Sequence, residues 1–299
     1  MLARRQFLTL GGAALASALI PAAFARAGGA AIPVPVAVSD ADFAALEKAS
    51  GGRLGVCLWN PASGARYGHR IDERFPMCST VKYPLAAAVL RRADAGQLSL
   101  DQRVPVRASD ILDHSPFTER HVGKTMTVRD LCRATMIVSD NAAANLLLPL
   151  VGGPAGLTAF LREHGDRVTV SARNEPELNR FAAGDPRDTT SPAAMAGNLQ
   201  RFLLGDVLGE ASRQQLADWL IDNQTGDARL RAGLPQDWRV GDKTGSNGSD
   251  TSNDIAVLWP LAGGTPWLLS SYLQGSALDD DGRNGILRQV GELAGARLR

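Results

Sequence analysis

A serine hydroxyl is a poor nucleophile at neutral pH unless a base sits beside it. In Ser79-x-x-Lys82 one helical turn would bring hydroxyl and amine together on a single face. The tetrad alone says little, because average composition places about one Ser-x-x-Lys in a chain of this length by chance. Its weight comes from its company, Ser139-Asp140-Asn141 and then Lys243-Thr244-Gly245. The chain has only four lysines, Lys48, Lys82, Lys124 and Lys243, against 28 arginines, and two of the four stand in these motifs. Arginine would serve a merely positive surface, so lysine at these places answers a need for an amine that can titrate or hold a compact charge. Ser79 is thus a candidate for covalent catalysis beside two amines.

Glu175-Pro176-Glu177-Leu178-Asn179 offers a second half to that chemistry. A carboxylate and a carboxamide four residues apart on a loop can hold one water, with Glu175 as base and Asn179 orienting it. A solvated acidic loop is the competing reading, since Glu177 is equally available. Ser139-Asp140-Asn141 is expected between two helices, either pointing hydroxyl and carboxamide into a cleft or capping the second helix. Residues 241–246, Gly-Asp-Lys-Thr-Gly-Ser, fit an edge strand whose glycines let a substrate lie against the backbone. The amide of Ser246, with the amides at a helix N-terminus at Ser79, could form an oxyanion hole.

The elements that must position these residues follow from periodicity. Residues 53–59 and 65–70 predict a β-hairpin turned by Asn60-Pro61-Ala62-Ser63-Gly64, and Ser39-x-x-Asp42 predicts a capped helix to about residue 50. Apolar residues at three and four spacing predict helices over 81–92, 128–138, 142–151, 156–164, 192–204 and 212–221. Strands return over 239–244, 254–259 and 267–273, and 286–298 closes the chain as an amphipathic helix. An early hairpin and three late strands form one sheet only if the two ends of the chain meet. The expected fold is α+β: a five-stranded antiparallel sheet flanked by terminal helices, from about 39–70 and 222–299, with an all-helical lobe inserted over about 71–221. Residues 167–190 fit neither helix nor strand and predict a functional Ω-type loop.

With 44% hydrophobic and 21% charged residues, the 299-residue chain has the balance of a globular protein with a substantial core. Arg4-Arg5-Gln6-Phe7-Leu8, the apolar stretch to about Phe24, and Ala25-Arg26-Ala27 predict a twin-arginine export signal over 1–27, a Tat partner and a periplasmic mature chain from about Gly28, led by a flexible stretch to about Val38. Without that signal 29 basic residues face 31 acidic ones, which gives no electrostatic case for nucleic-acid or anionic-membrane binding. Cys57, Cys78 and Cys132 are an odd number, so at least one stays unpaired, and burial as small apolar side chains is expected of them. His69, His114, His121 and His164 show no HxH or HExxH spacing, so neither a metal nor another cofactor is expected.

The four motifs, in this order and spacing, resemble those of class A serine β-lactamases over essentially the whole mature length, and in particular the Tat-exported chromosomal extended-spectrum cephalosporinases. Arg173 and Asp188 fall where that family pairs an arginine and an aspartate across the neck of its Ω loop. Residues 253–257, Asn-Asp-Ile-Ala-Val, resemble its strand after the Lys-Thr-Gly motif. The resemblance implies that Ser79 attacks a lactam carbonyl, with Lys82 or a water held by Glu175 as base. Ser139 would relay a proton to the leaving nitrogen, supported by Lys243, and water between Glu175 and Asn179 would deacylate. It further implies that Lys243 also supports the substrate carboxylate, that the Thr244 and Ser246 hydroxyls bind it on a strand that Gly245 helps to line, and that Asn141 binds the acylamino side chain. Ser246 and Asn247 would favour cephalosporins, and His114 stands near the family's aromatic gate. Ser252 occupies the usual place of a carboxylate-binding arginine, leaving Arg229 or Arg283 to substitute. Asn247 also replaces a cysteine that some members bridge to the residue before the nucleophile, so Cys78 is expected free. A penicillin-binding transpeptidase would lack Glu175 and Asn179, and a lactam-sensing domain would need a membrane span. A monomer acting on β-lactam small molecules is the expectation.

Overall fold

Both sheet faces are covered, and the strand sequences show it. In β1 (Arg53–Trp59) every residue from Leu54 to Leu58 is buried, a run without the polar alternation of a sheet open to water on one side. Its even and odd positions still part. Leu54, Val56 and Leu58 join Ala256, Leu258, Leu269 and Leu273 in one apolar cluster, whereas Cys57 joins Ile255, Val257, Leu268 and Tyr272 in another. Successive side chains of a strand point to opposite faces, so the two clusters lie on opposite sides of the sheet.

The computed structural model describes Val38, Ser39 and residues 41–298, so the expected export signal and most of the expected leader lie outside the described residues. With β2 (Arg66–His69), β3 (Trp238–Ser246), β4 (Ser252–Pro260) and β5 (Trp267–Gln274), β1 forms the expected five-stranded antiparallel sheet in the order β2-β1-β5-β4-β3. Strand β3, with the Lys-Thr-Gly motif, is at the edge. At the other edge Val38–Ser39 adds two residues parallel to β2. Ser39 pairs with Gly68 along this edge, and α1 runs over Ala41–Ser50; the expected Ser39 cap lies outside the described side chains.

The first face is covered by α1, by α9 (Asp280–Gly295) and by the short α8 (Leu230–Gly233), which contribute Phe43, Leu230, Ile286, Leu287 and Val290. The other face meets α6 (Pro192–Leu203), whose Met195, Leu199 and Phe202 join a large cluster with α2 (Lys82–Asp94), α3 (Val128–Ile137), α4 (Asn141–Leu147), α5 (Gly153–Glu163) and α7 (Glu210–Ile221). Helix limits differ from the periodic reading where caps intervene. Helix α9 starts six residues earlier than 286 because Asp279 accepts the Gly282 amide at 2.8 Å. Helix α4 gives way at Leu147 to a 3₁₀ turn, Leu148–Val151, which contains Pro149 and ends at left-handed Gly152. The two-stranded pairings of Phe75–Pro76 with Thr189–Thr190 and of Arg103–Pro105 with Thr125–Thr127 escape sequence patterns, being only two and three residues long. Among the described residues no single helix is long and apolar enough to cross a membrane.

Candidate active site

Ser79 sits in a 3₁₀ turn, Cys78–Val81, that runs directly into α2. Cys78 before it has φ 46°, a left-handed conformation unusual for a residue with a Cβ and of the kind that collects at functional sites. Edge strand β3 lies against this turn. A Cβ on Gly245 would come within 2.8 Å of Met77 O and 3.1 Å of the Ser79 and Thr80 amides, so only glycine permits the approach. Strand β4 fixes the same turn, since Asn253 Nδ2 donates to Pro76 O at 2.9 Å and to Met77 O at 3.1 Å.

Lys82 opens α2 and is wholly buried. Its Nζ donates to Ser79 Oγ at 3.0 Å, to Ser139 O at 2.7 Å and to Asn141 Oδ1 at 2.5 Å, and lies 3.2 Å from Glu175 Oε1. Burial pushes the Lys82 ammonium below its ordinary range, and the Glu175 carboxylate opposes that shift. Lys243, also fully buried, donates to Ser139 Oγ at 3.1 Å. Its ammonium is pushed well below the ordinary range by burial and then by the like charge of Lys82. Ser139 thus stands between two amines, its backbone left-handed at φ 60°. Both readings of its tripeptide hold at once. Asp140 caps α4 through the Ala143 amide at 2.9 Å and also ties down Phe117 N and Thr118, while Ser139 and Asn141 face the cleft.

The segment 167–190 is a loop closed on itself. Val170 bridges Thr189, Thr169 and Thr190 join hydroxyls at 2.7 Å, and Arg173 Nε donates to Asp188 Oδ2 at 2.6 Å. At its tip Glu175 is buried beneath the cleft, while Glu177 stays exposed. Asn179 Nδ2 donates to Glu175 Oε2 at 2.7 Å, and Ser79 Oγ reaches Oε1 at 3.5 Å. Asn145, which the motifs do not include, clamps the Glu175 backbone at both ends, accepting its N–H at 2.9 Å and donating to its carbonyl at 2.8 Å. Its spacing of four from Asn141 on α4 was an available signal.

A cavity of about 330 Å³ joins these groups, lined by Ser79, His114, Ser139, Asn141, Asn179, Thr225, Arg229, Thr244, Gly245, Ser246 and Gly248. His114 is exposed at its rim and shares a hydrogen bond with Val138 O at 2.8 Å. Arg229 donates to Gly245 O and Asn253 O at 3.0 and 2.8 Å, and burial lowers its affinity for its proton. Arg283 is withdrawn from the cleft, buried and bonded to Ser252 Oγ, Ser249 O, Leu278 O and Asp280, which leaves Arg229 as the cleft arginine. Asn247, expected to meet substrate, is turned into its own loop: its Oδ1 accepts from the Ser249, Asp250 and Thr251 amides and its Nδ2 donates to Asp250. That Asx-type turn engages both the oxygen and the nitrogen of the carboxamide. Cys57, Cys78 and Cys132 are all buried and free. Thr225, which no motif marked, joins Thr244 hydroxyl to hydroxyl at 2.5 Å.

A nucleophile one turn from a buried amine, a second amine across a shared serine, and a carboxylate with a carboxamide able to hold water define an α+β serine hydrolase that works through an acyl-enzyme. Comparison with known proteins agrees. The family model of the β-lactamase enzyme family matches residues 39–298. The sequence is 63% identical to β-lactamase L2 of Stenotrophomonas maltophilia over 98% of each chain. The crystal structure of L2 complexed with relebactam is similar at a TM-score of 0.85 and 65% identity, over 87% of this chain and 96% of that one. The class A β-lactamase of the last common ancestor of Gram-negative bacteria is similar at 0.84 and 58%, over 87% and 98%. The chain belongs to the β-lactamase enzyme family, in its class A.

Proposed function

We propose that the protein hydrolyses the lactam amide of penicillins and cephalosporins through an acyl-enzyme on Ser79, and so confers resistance to them. The observation that carries this reading is the position of Glu175, which reaches Ser79 and Lys82 with one carboxylate oxygen and Asn179 with the other. Ser79 Oγ loses its proton to Lys82, whose burial favours the neutral amine, and attacks the lactam carbonyl. The amides of Ser79 and Ser246 receive the oxyanion. The C–N bond then breaks, and Ser139, bridged to both lysines, passes a proton to the ring nitrogen. Thr244, Ser246, Lys243 and Arg229 hold the substrate carboxylate, and Asn141 the acylamino side chain. Water between Glu175 and Asn179 gives its proton to Glu175, attacks the ester and releases Ser79.

Intact-mass measurement with a slow cephalosporin tests this. Glu175→Ala and Asn179→Ala protein should accumulate an adduct that wild type clears, and Ser79→Ala should form none. Mutants that clear the adduct as fast as wild type would remove Glu175 from deacylation. The chemistry as drawn uses no metal, so turnover is expected to survive EDTA. The twin arginines and the small-residue site near Ala27 support export by the Tat route to the periplasm, where the protein acts as a monomer.

A further inference from the structure

We infer that Thr225 is a positioning residue for the anionic group of the substrate, acting through the hydroxyl of Thr244; the inference rests on the proposed role of Thr244 in holding the carboxylate. The argument is a count of protons. Asp242 Oδ1 already accepts from the guanidinium of Arg231, a donor-only group, so the Asn223 atom facing that oxygen at 3.1 Å is its NH₂. Asn223 Oδ1 is thereby turned to Thr225, whose N–H and Oγ1 donate to it at 3.2 and 2.8 Å. A hydroxyl has one proton, and that of Thr225 is now committed.

The 2.5 Å contact between Thr225 Oγ1 and Thr244 Oγ1 therefore takes its proton from Thr244. In the unliganded protein the Thr244 hydroxyl gives its proton to Thr225 and offers the cleft only lone pairs, which repel a carboxylate. Binding an anion requires the chain to reverse: Thr244 donates outward and Thr225 donates to Thr244. Reversal costs little, because Asn223 Oδ1 keeps the Thr225 N–H when it loses the hydroxyl. The reversed chain ends on a charged acceptor, where hydrogen bonds are stronger and polarise one another. A neutral group at the same place gains much less, so the pair selects anionic substrates.

The test uses the full-length enzyme with a chromogenic cephalosporin and the same compound as its C4 methyl ester, in wild type, Thr225→Val and Thr225→Ser. The Thr225–Thr244 bond is present with and without substrate, so Thr225→Val forfeits only its strengthening against the bound anion, and KM for the acid should rise about twofold, with kcat held and KM for the ester unmoved. Thr225→Ser should restore the wild-type values. An unchanged KM for the acid overturns the inference, as does an equal rise for acid and ester or a Thr225→Ser that fails to rescue; the last two mark a structural residue. A wild-type enzyme that opens neither lactam would instead overturn the proposed function, and this inference with it.

Discussion

Two buried amines share Ser139. Lys82 and Lys243 are wholly buried, so each is held below its ordinary proton affinity, Lys243 further because Lys82 adds a like charge. A buried amine that titrates early is useful at a nucleophile and a liability at an anion site. As pH rises through its lowered folded value, Lys243 loses the charge that would attract a substrate carboxylate. KM for an anionic lactam should therefore climb at a pH below the ordinary lysine value of 10.5. Stability moves the other way. Between the folded value and 10.5 the unfolded chain binds more protons than the folded one, so the contribution of this lysine to stability rises with pH. Parallel melting curves and steady-state rates check the pair of signs; a loss of activity that tracks melting would contradict it. Lys243→Arg, which keeps its charge, should carry the alkaline limb to higher pH.

The element that depends most on a few contacts is the loop over 167–190. It is irregular over most of its length, and Asp188 gathers its neck, accepting the Ala172 and Arg173 amides at 2.8 and 3.1 Å as well as the Arg173 guanidinium. Asp188 is buried and Arg173 partly exposed, so losing the carboxylate should cost about 3 kcal/mol. The consequence for catalysis is unequal. Glu175 and Asn179 are on this loop, whereas Ser79, Lys82 and Lys243 stand on α2, its preceding turn and β3. Asp188→Ala is expected to slow deacylation more than acylation, seen as a burst of product followed by a slower steady state, with a lowered Tm. Equal slowing of both steps would show that the loop also supports the nucleophile. Strand β3 meets the opposite requirement, close approach without freedom, and Gly245 supplies it.

On the scale of the whole described chain, a sheet that joins its early and late strands separates two apolar clusters, and the three cysteines are enclosed within or beside them. Burial pushes the Cys57 thiol up to about 12, and those of Cys78 and Cys132 further. Thiolate is the reactive form, so the native protein should resist a thiol reagent such as DTNB at pH 8 and yield three thiols on denaturation. Fewer than three would reveal a disulfide, and rapid native reaction would show that the interior opens.

Much of this was legible in the chain itself. Four short motifs specify the reactive groups because the chemistry demands particular atoms at particular separations; β-branched and aromatic runs specify the sheet, which is buried on both faces, and period-3.6 patterns specify most helices, each apolar on one face. The fates of Asn247 and Arg283 were not legible, since a carboxamide or a guanidinium finds its partners wherever the folded backbone offers them. Asn145, Asn223 and Thr225 stayed hidden for the same reason. The sequence by itself determined which groups could react; tertiary structure alone decided which amine, carboxylate and hydroxyl face one another. Distances of 2.7 to 3.5 Å between residues 57 to 104 positions apart are set by packing, which no local pattern encodes.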